Sequence, residues 1–211
     1  MLFNEGIEIF KTALRKPLPG VSAQHLMAPR MRKSTTELLQ ENPSHRLSSV
    51  LILLFPDKQQ DLCTIFIERP IDSSIHSGQI AFPGGKMDDT DADTAFTALR
   101  ETEEEIGVPA KDVTLLGALS QLFIPASNFL VVPHIGMMQT IPRFIPNPEE
   151  VRSLIPVHVA TLLSLNKSEK EFQTSYGKLS APYYDLNGHA VWGATAMMIS
   201  ELREMINDAR E

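Results

Sequence analysis

Four carboxylates lie within five consecutive positions of this 211-residue sequence, in the stretch RETEEEIG that begins at Arg100. On a helix each residue advances about 100°, so Glu101, Glu104 and Glu105 share one face while Glu103 projects from the other side. Like charges at this spacing repel each other by roughly 0.2–0.5 kcal/mol per pair. A bound hard divalent cation, which prefers carboxylate oxygens, offsets that repulsion, so the pattern predicts a cation site. Arg100 can hold a carboxylate in place through a charge-assisted hydrogen bond.

A solvated acidic face on a surface helix is the ordinary alternative, and the glutamates alone favour it. The residues upstream point the other way, because Phe82-Pro83-Gly84-Gly85 ends an apolar run with two residues that can adopt backbone angles denied to others. Such a loop can bring the helix close to a strand and leave backbone N–H groups free for a phosphate. Most Gly-Gly pairs are simple turns, but a glycine loop and an acidic helix in one run are together more specific.

The acidic residues belong to a helix that the pattern predicts over residues 91–106. Asp91 is its predicted N-cap, Gly107 is the residue that ends it, and Pro109 bars its continuation. Further strands are predicted at 50–55, 63–67, 79–82, 113–119 and 129–138, with a hairpin at 181–191 around Asn187-Gly188. Further helices are predicted at 3–14, at 149–163 with an interruption near Pro156, and at 194–209.

The irregular alternation of strands and helices favours an α/β fold with a mixed sheet between helices over a doubly wound parallel sheet. We expect residues 1–45 to form an N-terminal helical extension packed on a main domain of residues 46–211.

Composition excludes several functions. The formal charge of −7 argues against a nucleic-acid surface, and the apolar run 50–55 is far too short to span a membrane. The N-terminal residues lack an apolar targeting segment, so we expect a cytoplasmic protein. A single cysteine, Cys63, excludes an intrachain disulfide framework and a Cys-based zinc site, and its apolar surroundings favour a buried, inert thiol.

Residues 85–108, GKMDDTDADTAFTALRETEEEIGV, resemble the Nudix box, whose general form is G-x5-E-x7-R-E-U-x-E-E-x-G-U with U apolar. The positions that match are Gly85, Arg100, Glu101, Glu104, Glu105, Gly107 and Val108. Asp91 stands for the first glutamate, one extra residue precedes Arg100, and Thr102 fills an apolar position. These departures resemble the coenzyme A pyrophosphatase branch of the family. Residues 18–32, 76–85, 147–151 and 191–196 are similar to that branch as well, whereas residues 65–67, Pro70 and Ser74 differ from it.

The resemblance implies a Nudix-type α/β/α sandwich and a metal-dependent hydrolysis. The implied substrate is coenzyme A or an acyl derivative, cut at its pyrophosphate to 3′,5′-ADP and 4′-phosphopantetheine or its acyl form. The implied cofactor is Mg²⁺ or Mn²⁺, with Glu101, Glu104 and Glu105 as its ligands. Glu101 or Glu104 could also take the proton of the attacking water, and Arg100 is expected to orient the glutamates rather than to contact substrate.

Substrate contacts are expected from the glycine loop and from basic side chains. The candidates are Gly84, Gly85, Arg69, Arg30, Arg32, Arg46 and His76, although each basic residue alone is more often a surface or loop residue. Glu149 and Glu150 could add a carboxylate as an extra metal ligand or base; alternatively they complement a helix dipole after Pro148. Trp192 is expected in the core.

Two other functions are compatible with the sequence. A Nudix pyrophosphatase could act on NADH, ADP-ribose or another nucleoside diphosphate derivative, which Pro70 and Ser74 favour. A Nudix fold could also serve as a non-catalytic binding or regulatory module, although such a module has no need of the full glutamate set. The expected partner is a small-molecule substrate, without nucleic acid or membrane, and a homodimer is compatible with the sequence.

Overall fold

The computed structural model of the chain describes residues 1–30, 32–72, 75–174 and 177–210, so Ser74 lies outside the described residues. The α-helices are α1 (Phe3–Ala13), α2 (Val21–Gln24), α3 (Thr35–Glu41), α4 (Thr94–Ile106), α5 (Val159–Ser164) and α6 (Gly193–Arg210). The strands are β1 (Arg46–Pro56), β2 (Leu62–Glu68), β3 (Ile80–Ala81), β4 (Gly84–Lys86), β5 (Thr114–Ala118), β6 (Leu122–Ile124), β7 (Phe129–Met137), β8 (Ser153–His158), β9 (Lys167–Thr174), β10 (Gly177–Leu186) and β11 (His189–Trp192).

The larger sheet has the strand order β3-β2-β1-β7-β5, with β4 beside β1, β6 beside β7 and β8 beside β2. The long strands β1 and β7 are parallel, whereas β2 and β4 run antiparallel to β1. The predicted mixed sheet is therefore confirmed.

Helices cover both faces of this sheet because the side chains of β1 alternate between them. Leu51 and Leu53 pack into a buried cluster with α4, whereas Ile52 and Leu54 pack with α1 and α6 on the opposite face. All four leucine and isoleucine side chains are fully buried. A strand that is apolar on both faces needs a layer on each side, which gives the expected α/β/α sandwich.

The smaller sheet, β11-β10-β9, is antiparallel, and its β10–β11 connection is the predicted hairpin. Asn187 and Gly188 both have positive φ, 53° and 88°, as a tight hairpin turn requires. This sheet contacts α6 and, through β11, the edge strand β3. It therefore stands beside the glycine loop, which follows β3 in the chain.

The N-terminal residues supply one helix to the sandwich. Phe3, Ile7 and Phe10 of α1 are buried in the same cluster as α6, as their spacing predicts. Ser34 and Glu37 form a reciprocal capping box that starts α3. The division of the chain between residues 45 and 46 stays a prediction. No helix in the described part of the chain is both long and apolar enough to cross a membrane.

The predicted helix at 149–163 is wrong. Residues Ser153–His158 form β8, and only the short α5 follows. Ile155 and Val157 are buried while Pro156 and His158 are exposed, so this run has the two-residue period of a strand. Pro156 fits because β8 pairs with β2 through one edge and needs no N–H donor on the other.

Candidate active site

The glycine loop lies against the middle of the sheet because β4 pairs with β1, with Gly84 opposite Val50 and Gly85 opposite Ser49. Gly84 has a φ of 149°, and a Cβ there would lie 2.2 Å from the Ser49 carbonyl oxygen. A Cβ on Gly85 would lie 2.3 Å from Oε2 of Glu101. Both glycines are therefore needed for the close approach, one for the backbone and the other for a carboxylate of α4.

Glu105 connects α4 to this loop. Its side chain is buried, with 3% of the residue exposed, and its Oε2 accepts a 2.8 Å hydrogen bond from the N–H of Gly84. Nη1 of Arg69 stands 3.9 Å from the other carboxylate oxygen. Burial raises the pKa of Glu105 to about 8 despite these two partners. The Gly84 N–H and Arg69 therefore do not stabilise the ionised carboxylate of Glu105 enough to offset its burial.

Glu101 and Glu104 share one guanidinium nitrogen of Arg100. Nη1 of Arg100 lies 3.0 Å from Glu101 Oε1 and 2.9 Å from Glu104 Oε2. Glu101 lies half-buried against Gly85, and burial raises its pKa, while the Glu104 side chain is 51% exposed. Glu103 points elsewhere, as predicted, and accepts a hydrogen bond from the N–H of Ala110 at 3.0 Å.

Arg100 is itself held by Asp91. Nε and Nη2 of Arg100 each donate a 2.9 Å hydrogen bond to the Asp91 carboxylate, and Thr97 Oγ1 donates another of 2.9 Å. The hydrogen bonds from Arg100 hold the pKa of the buried Asp91 well below its usual range. The prediction of Asp91 as helix N-cap is wrong, because α4 begins at Thr94 and Asp93 caps it by accepting from Phe96 N–H at 2.8 Å.

Asp91→Asn should lower the free energy of unfolding at neutral pH by about 1–3 kcal/mol, because it removes charge from a bidentate pair. A carboxyl whose pKa is lower in the folded state stabilises above its unfolded pKa of about 4, and the contribution is lost as pH falls further. Urea unfolding at pH 7 and at about pH 2 measures this difference, which should shrink at the lower pH because the unfolded chain is then protonated at Asp91 while the folded state still resists the proton. Asp93→Asn is the matched control, because asparagine caps helices as well as aspartate does.

An equal loss in both variants, or an unchanged difference at low pH, would contradict this role of Asp91.

Thr102 occupies the box position where an apolar residue is usual, and the structure explains why threonine fits. The residue is 1% exposed, and its hydroxyl donates a 2.7 Å hydrogen bond to the Ala98 carbonyl one turn earlier. The buried hydroxyl is therefore satisfied within α4.

The glutamate set suits a hard divalent cation by its chemistry. Carboxylate oxygens are the ligands of Mg²⁺ and Mn²⁺, and burial leaves Glu101 and Glu105 with too little compensating charge. The ligand oxygens of Glu101, Glu104 and Glu105 do not all lie within 4.8 Å of one another in the described chain, and Arg100 holds two of these side chains. The three glutamates are thus chemically suited to Mg²⁺ or Mn²⁺. In this structure the side chains of Glu101 and Glu104 are positioned by Arg100.

Glu150 is a further acid whose charge acts on this set. It is exposed, and its charge makes the smallest of the contributions to the raised pKa of both Glu101 and Glu105. The alternative interpretation of Glu149 and Glu150 as helix N-terminal charges is wrong, because they lie in a turn before β8. The loop that carries them is tied to α4 by a 2.9 Å hydrogen bond from Asn147 N–H to the Glu105 carbonyl.

A cavity of about 570 Å³ lies beside the glycine loop, and Gly84, Gly85 and Lys86 contribute to its lining. This volume is typical of small-molecule sites. Its basic lining consists of Arg32, Arg69, His76, Lys86 and Lys178, and its aromatic lining of Phe82, Phe129 and Trp192. A chain with a negative net charge thus concentrates positive groups where an anionic substrate would bind.

The predicted substrate residues fall into two groups. Arg32, Arg69, His76, Gly84 and Gly85 line this cavity. Burial lowers the pKa of His76, whose Nδ1 lies 3.1 Å from Gln79 Oε1, as expected of a hydrogen-bonded loop histidine.

Arg46 and Arg30 stand apart from the cavity lining. The Arg46 guanidinium covers the ring of Phe129 at 4.2 Å and donates to the Ser127 carbonyl at 2.8 Å, behind two lining residues. The Arg30 side chain is 88% exposed and pairs with Glu169 at 3.8 Å beside a second, smaller cavity. Roles for both arginines in substrate binding stay predictions.

The sequence did not identify several lining residues as site residues, among them Trp192, Lys86 and Lys178. Trp192 was expected in the core but is only half-buried, and it stacks on Phe172 with ring centroids 4.3 Å apart. Lys86 directly follows the glycine pair, which is a signal that sequence reasoning could have used. Lys178 lies on β10, and no sequence pattern indicates that the smaller sheet forms a wall of this cavity.

A family model described as NUDIX domain matches residues 45–176 of the chain. The uncharacterized Nudix hydrolase NudL of Pectobacterium atrosepticum is 34% identical over 147 residues, which cover 68% of this chain and 75% of that protein. The chloroplastic Nudix hydrolase 22 of Arabidopsis thaliana is 30% identical over 207 residues, which cover 93% of this chain and 64% of the plant protein. The chain thus spans less than two thirds of the length of that plant relative.

Solved structures show the same fold at low identity. The Nudix hydrolase RenU from M. smegmatis superposes with a TM-score of 0.54 and 17% identity, over 78% of this chain and 87% of that one. A MutT protein from Methanosarcina mazei Go1 gives a TM-score of 0.50 with 13% identity, over 78% of this chain and 97% of that one. At such identities the likeness carries information on the fold alone.

Proposed function

Because this chain belongs to the Nudix family and is thus a hydrolase of nucleoside diphosphate derivatives, we propose that its substrate is coenzyme A or an acyl-coenzyme A. The proposed reaction is hydrolysis of the pyrophosphate bond to 3′,5′-ADP and 4′-phosphopantetheine or its acyl form. The sequence features that support this specificity are the segments similar to the coenzyme A pyrophosphatase branch, which extend beyond the Nudix box itself.

The observation that carries the proposal is the composition of the cavity next to the glutamates. Coenzyme A combines a diphosphate, a further 3′-phosphate and a long, weakly polar pantetheine arm. The cavity offers Lys86 beside the glycine loop, Arg32 and Lys178 farther along its walls, and the aromatic surfaces of Phe129 and Trp192. A substrate with several anionic groups and an extended arm suits such a lining.

Arg69 is the basic side chain best placed for a phosphate oxygen. It lines the cavity and stands 3.9 Å from Glu105, and its buried Nε has no hydrogen-bond partner within the described residues. The side chain as a whole is 38% exposed, so the exposed N–H groups of its guanidinium can donate to a bound phosphate oxygen. Arg69 would then bring the diphosphate toward the glutamates.

The glutamates of α4 differ in burial, and we assign them different roles on that basis. Glu105 holds the glycine loop through the Gly84 N–H, which aligns the loop with the glutamates. Glu101 and Glu104 are the remaining candidates to accept the proton of the attacking water, and Arg100, fixed by Asp91, positions both. Glu101, Glu104 and Glu105 would hold Mg²⁺ or Mn²⁺, which would supply Lewis-acid polarisation and lower the pKa of water.

The test of substrate is a product analysis. The protein is incubated with Mg²⁺ or Mn²⁺ and, separately, with coenzyme A, an acyl-coenzyme A, NADH and ADP-ribose, and the products are identified by liquid chromatography and mass. We expect the highest kcat/KM with coenzyme A or its acyl form, and 3′,5′-ADP among the products. Preference for NADH or ADP-ribose would replace the coenzyme A proposal, and binding without turnover of any substrate would indicate a non-catalytic module.

Arg69→Gln should lower kcat/KM for the preferred substrate by about 10–100-fold, the loss expected for one charged hydrogen bond to phosphate. Steady-state kinetics measure the effect, with Arg210→Gln as the matched control because Arg210 is exposed at the end of α6 and lies outside the cavity lining. We expect Arg210→Gln to stay within about twofold of the parent protein. Equal losses in the two variants would place the phosphate contacts elsewhere.

The cytoplasmic location and the homodimer stay predictions, and the oligomeric state is open to light scattering.

A further inference from the structure

A second group of metal-binding side chains lies at the far end of the sheet from the glutamates. Asp57, Cys63 and His158 each offer one ligand atom, and these atoms all lie within 4.8 Å of one another. Within the described ranges this is the one set of three histidine, cysteine or acidic residues with that spacing. The trio lies outside the substrate cavity and has no part in the proposed hydrolysis.

The fold brings the three residues together from separate elements. Asp57 follows β1 in the turn that leads to β2, Cys63 is the second residue of β2, and His158 is the last residue of β8. Cys63 and His158 are direct cross-strand partners in the antiparallel β2–β8 pair. Directly opposed residues project to the same face of a sheet, so the thiol and the imidazole meet beside the turn.

The turn also fixes the direction of the Asp57 carboxylate. Its Oδ1 accepts hydrogen bonds from the N–H groups of Gln59 and Asp61, both at 2.8 Å. Its Oδ2 faces His158, with Nε2 at 3.0 Å. One oxygen is thus anchored to backbone while the other points at the imidazole, which is how outer hydrogen bonds orient a metal-binding carboxylate.

The donor set identifies the class of metal. Counting cysteines predicts an inert thiol at Cys63 and no Cys-based zinc site, but that count leaves out the carboxylate and the imidazole that the fold brings to this thiol. Sulfur, imidazole nitrogen and carboxylate oxygen together are typical ligands of Zn²⁺, while a thiolate discriminates against Mg²⁺. The Cys63 residue is 5% exposed and the His158 side chain 53% exposed, so the sulfur is shielded and the site opens to solvent at the histidine. Burial raises the pKa of the free thiol to about 11, and a coordinating metal deprotonates a thiol outright.

We propose that Asp57, Cys63 and His158 bind a Zn²⁺ ion through three protein ligands, with the fourth position open to water. The site is separate from the glutamates, because Val50 beside the glycine loop and Pro56 beside the trio are six residues apart on β1, about 20 Å. A metal at this place joins the β1–β2 turn to β2 and the edge strand β8. Binding to the folded state therefore stabilises that edge of the sheet.

The test uses Co²⁺ as a spectroscopic substitute for Zn²⁺ on the full chain, with Mg²⁺ in excess to occupy the glutamates. We expect a thiolate-to-Co²⁺ charge-transfer band in the near ultraviolet, visible bands of tetrahedral Co²⁺, and loss of both when Zn²⁺ is added. Cys63→Ser should abolish the charge-transfer band, and His158→Gln should weaken Co²⁺ binding at least about 10-fold. Glu101→Gln should leave the spectrum unchanged, which separates this site from the proposed catalytic one.

Because Cys63 is buried, Cys63→Ser could unfold the protein, so circular dichroism first establishes that each variant is folded. If Cys63→Ser is unfolded, His158→Gln tests the proposal alone, because the His158 side chain is exposed. Absence of the charge-transfer band in the parent protein would overturn the proposal. Binding that appears only at millimolar Co²⁺, or that is unaffected by His158→Gln, would overturn it too. Either result would leave the hydrolysis at the glutamates untouched.

Discussion

Glu101→Gln is expected to lower kcat/KM by about 10²–10⁴-fold, with little change in the free energy of unfolding. Glu101 lies against Gly85, is half-buried, and shares Nη1 of Arg100 with Glu104. Glutamine keeps the shape of the side chain but removes the charge that would hold a divalent ion or accept a proton. Glu104→Gln should lower kcat/KM by a similar factor. Because the Glu104 side chain is exposed, its substitution should change the free energy of unfolding even less than Glu101→Gln does.

Glu103→Gln is the matched control, since it makes the same charge change on the same helix. Its carboxylate accepts from Ala110 N–H on the side of α4 away from Glu101, so activity should stay within about threefold of the parent. Steady-state kinetics at saturating Mg²⁺ and chemical unfolding measure both properties. Near-normal activity of Glu101→Gln, or an equal loss in Glu103→Gln, would remove the shared-face glutamates from the mechanism.

The second large effect is expected at the adjacent glycines Gly84 and Gly85. Substitution by alanine should reduce stability at the first and catalytic activity at the second. In Gly84→Ala the new methyl group meets backbone, the Ser49 carbonyl oxygen, at a residue whose φ is 149°. Backbone strain and overpacking should together lower the free energy of unfolding by about 2–6 kcal/mol. Gly84→Ala is therefore expected to lose activity because it loses the fold.

In Gly85→Ala the new methyl group meets the carboxylate of Glu101, the far end of a flexible side chain. The carboxylate can rotate away, so stability should change by less than about 1 kcal/mol while kcat falls by about 10–100-fold. Urea unfolding and kcat, measured on both variants, separate the two effects. A stable, active Gly84→Ala or a fully active Gly85→Ala would contradict the close approach of loop and helix.

Much of the site was predictable because it is local in sequence. The glycine loop and the glutamates lie within 22 positions, and helical geometry alone puts Glu101, Glu104 and Glu105 on one face. The β10–β11 hairpin was equally local, because Asn187-Gly188 favours positive φ at both turn positions. In such cases backbone propensity and spacing agree, and no distant contact overrides them.

The errors occur where a distant partner decides the outcome. Both Asp91 and Asp93 can cap a helix, and only the reach of Arg100 back to Asp91 distinguishes them. Residues 149–163 contain a strand because β2 offers an unpaired edge, which the local pattern cannot reveal. Lys178 and Trp192 join the cavity through the packing of the smaller sheet, and Asp57, Cys63 and His158 meet only through strand pairing.

The central claim is that the glutamates on α4 bind the divalent ion that hydrolysis requires. Anomalous diffraction from crystals soaked with Mn²⁺ and a slowly hydrolysed coenzyme A analogue tests it most directly. We predict an anomalous peak in contact with the carboxylates of the Glu101, Glu104 and Glu105 set, facing the glycine loop, and its loss in Glu101→Gln crystals. Catalytically active crystals with Mn²⁺ bound only away from these three glutamates would contradict the account.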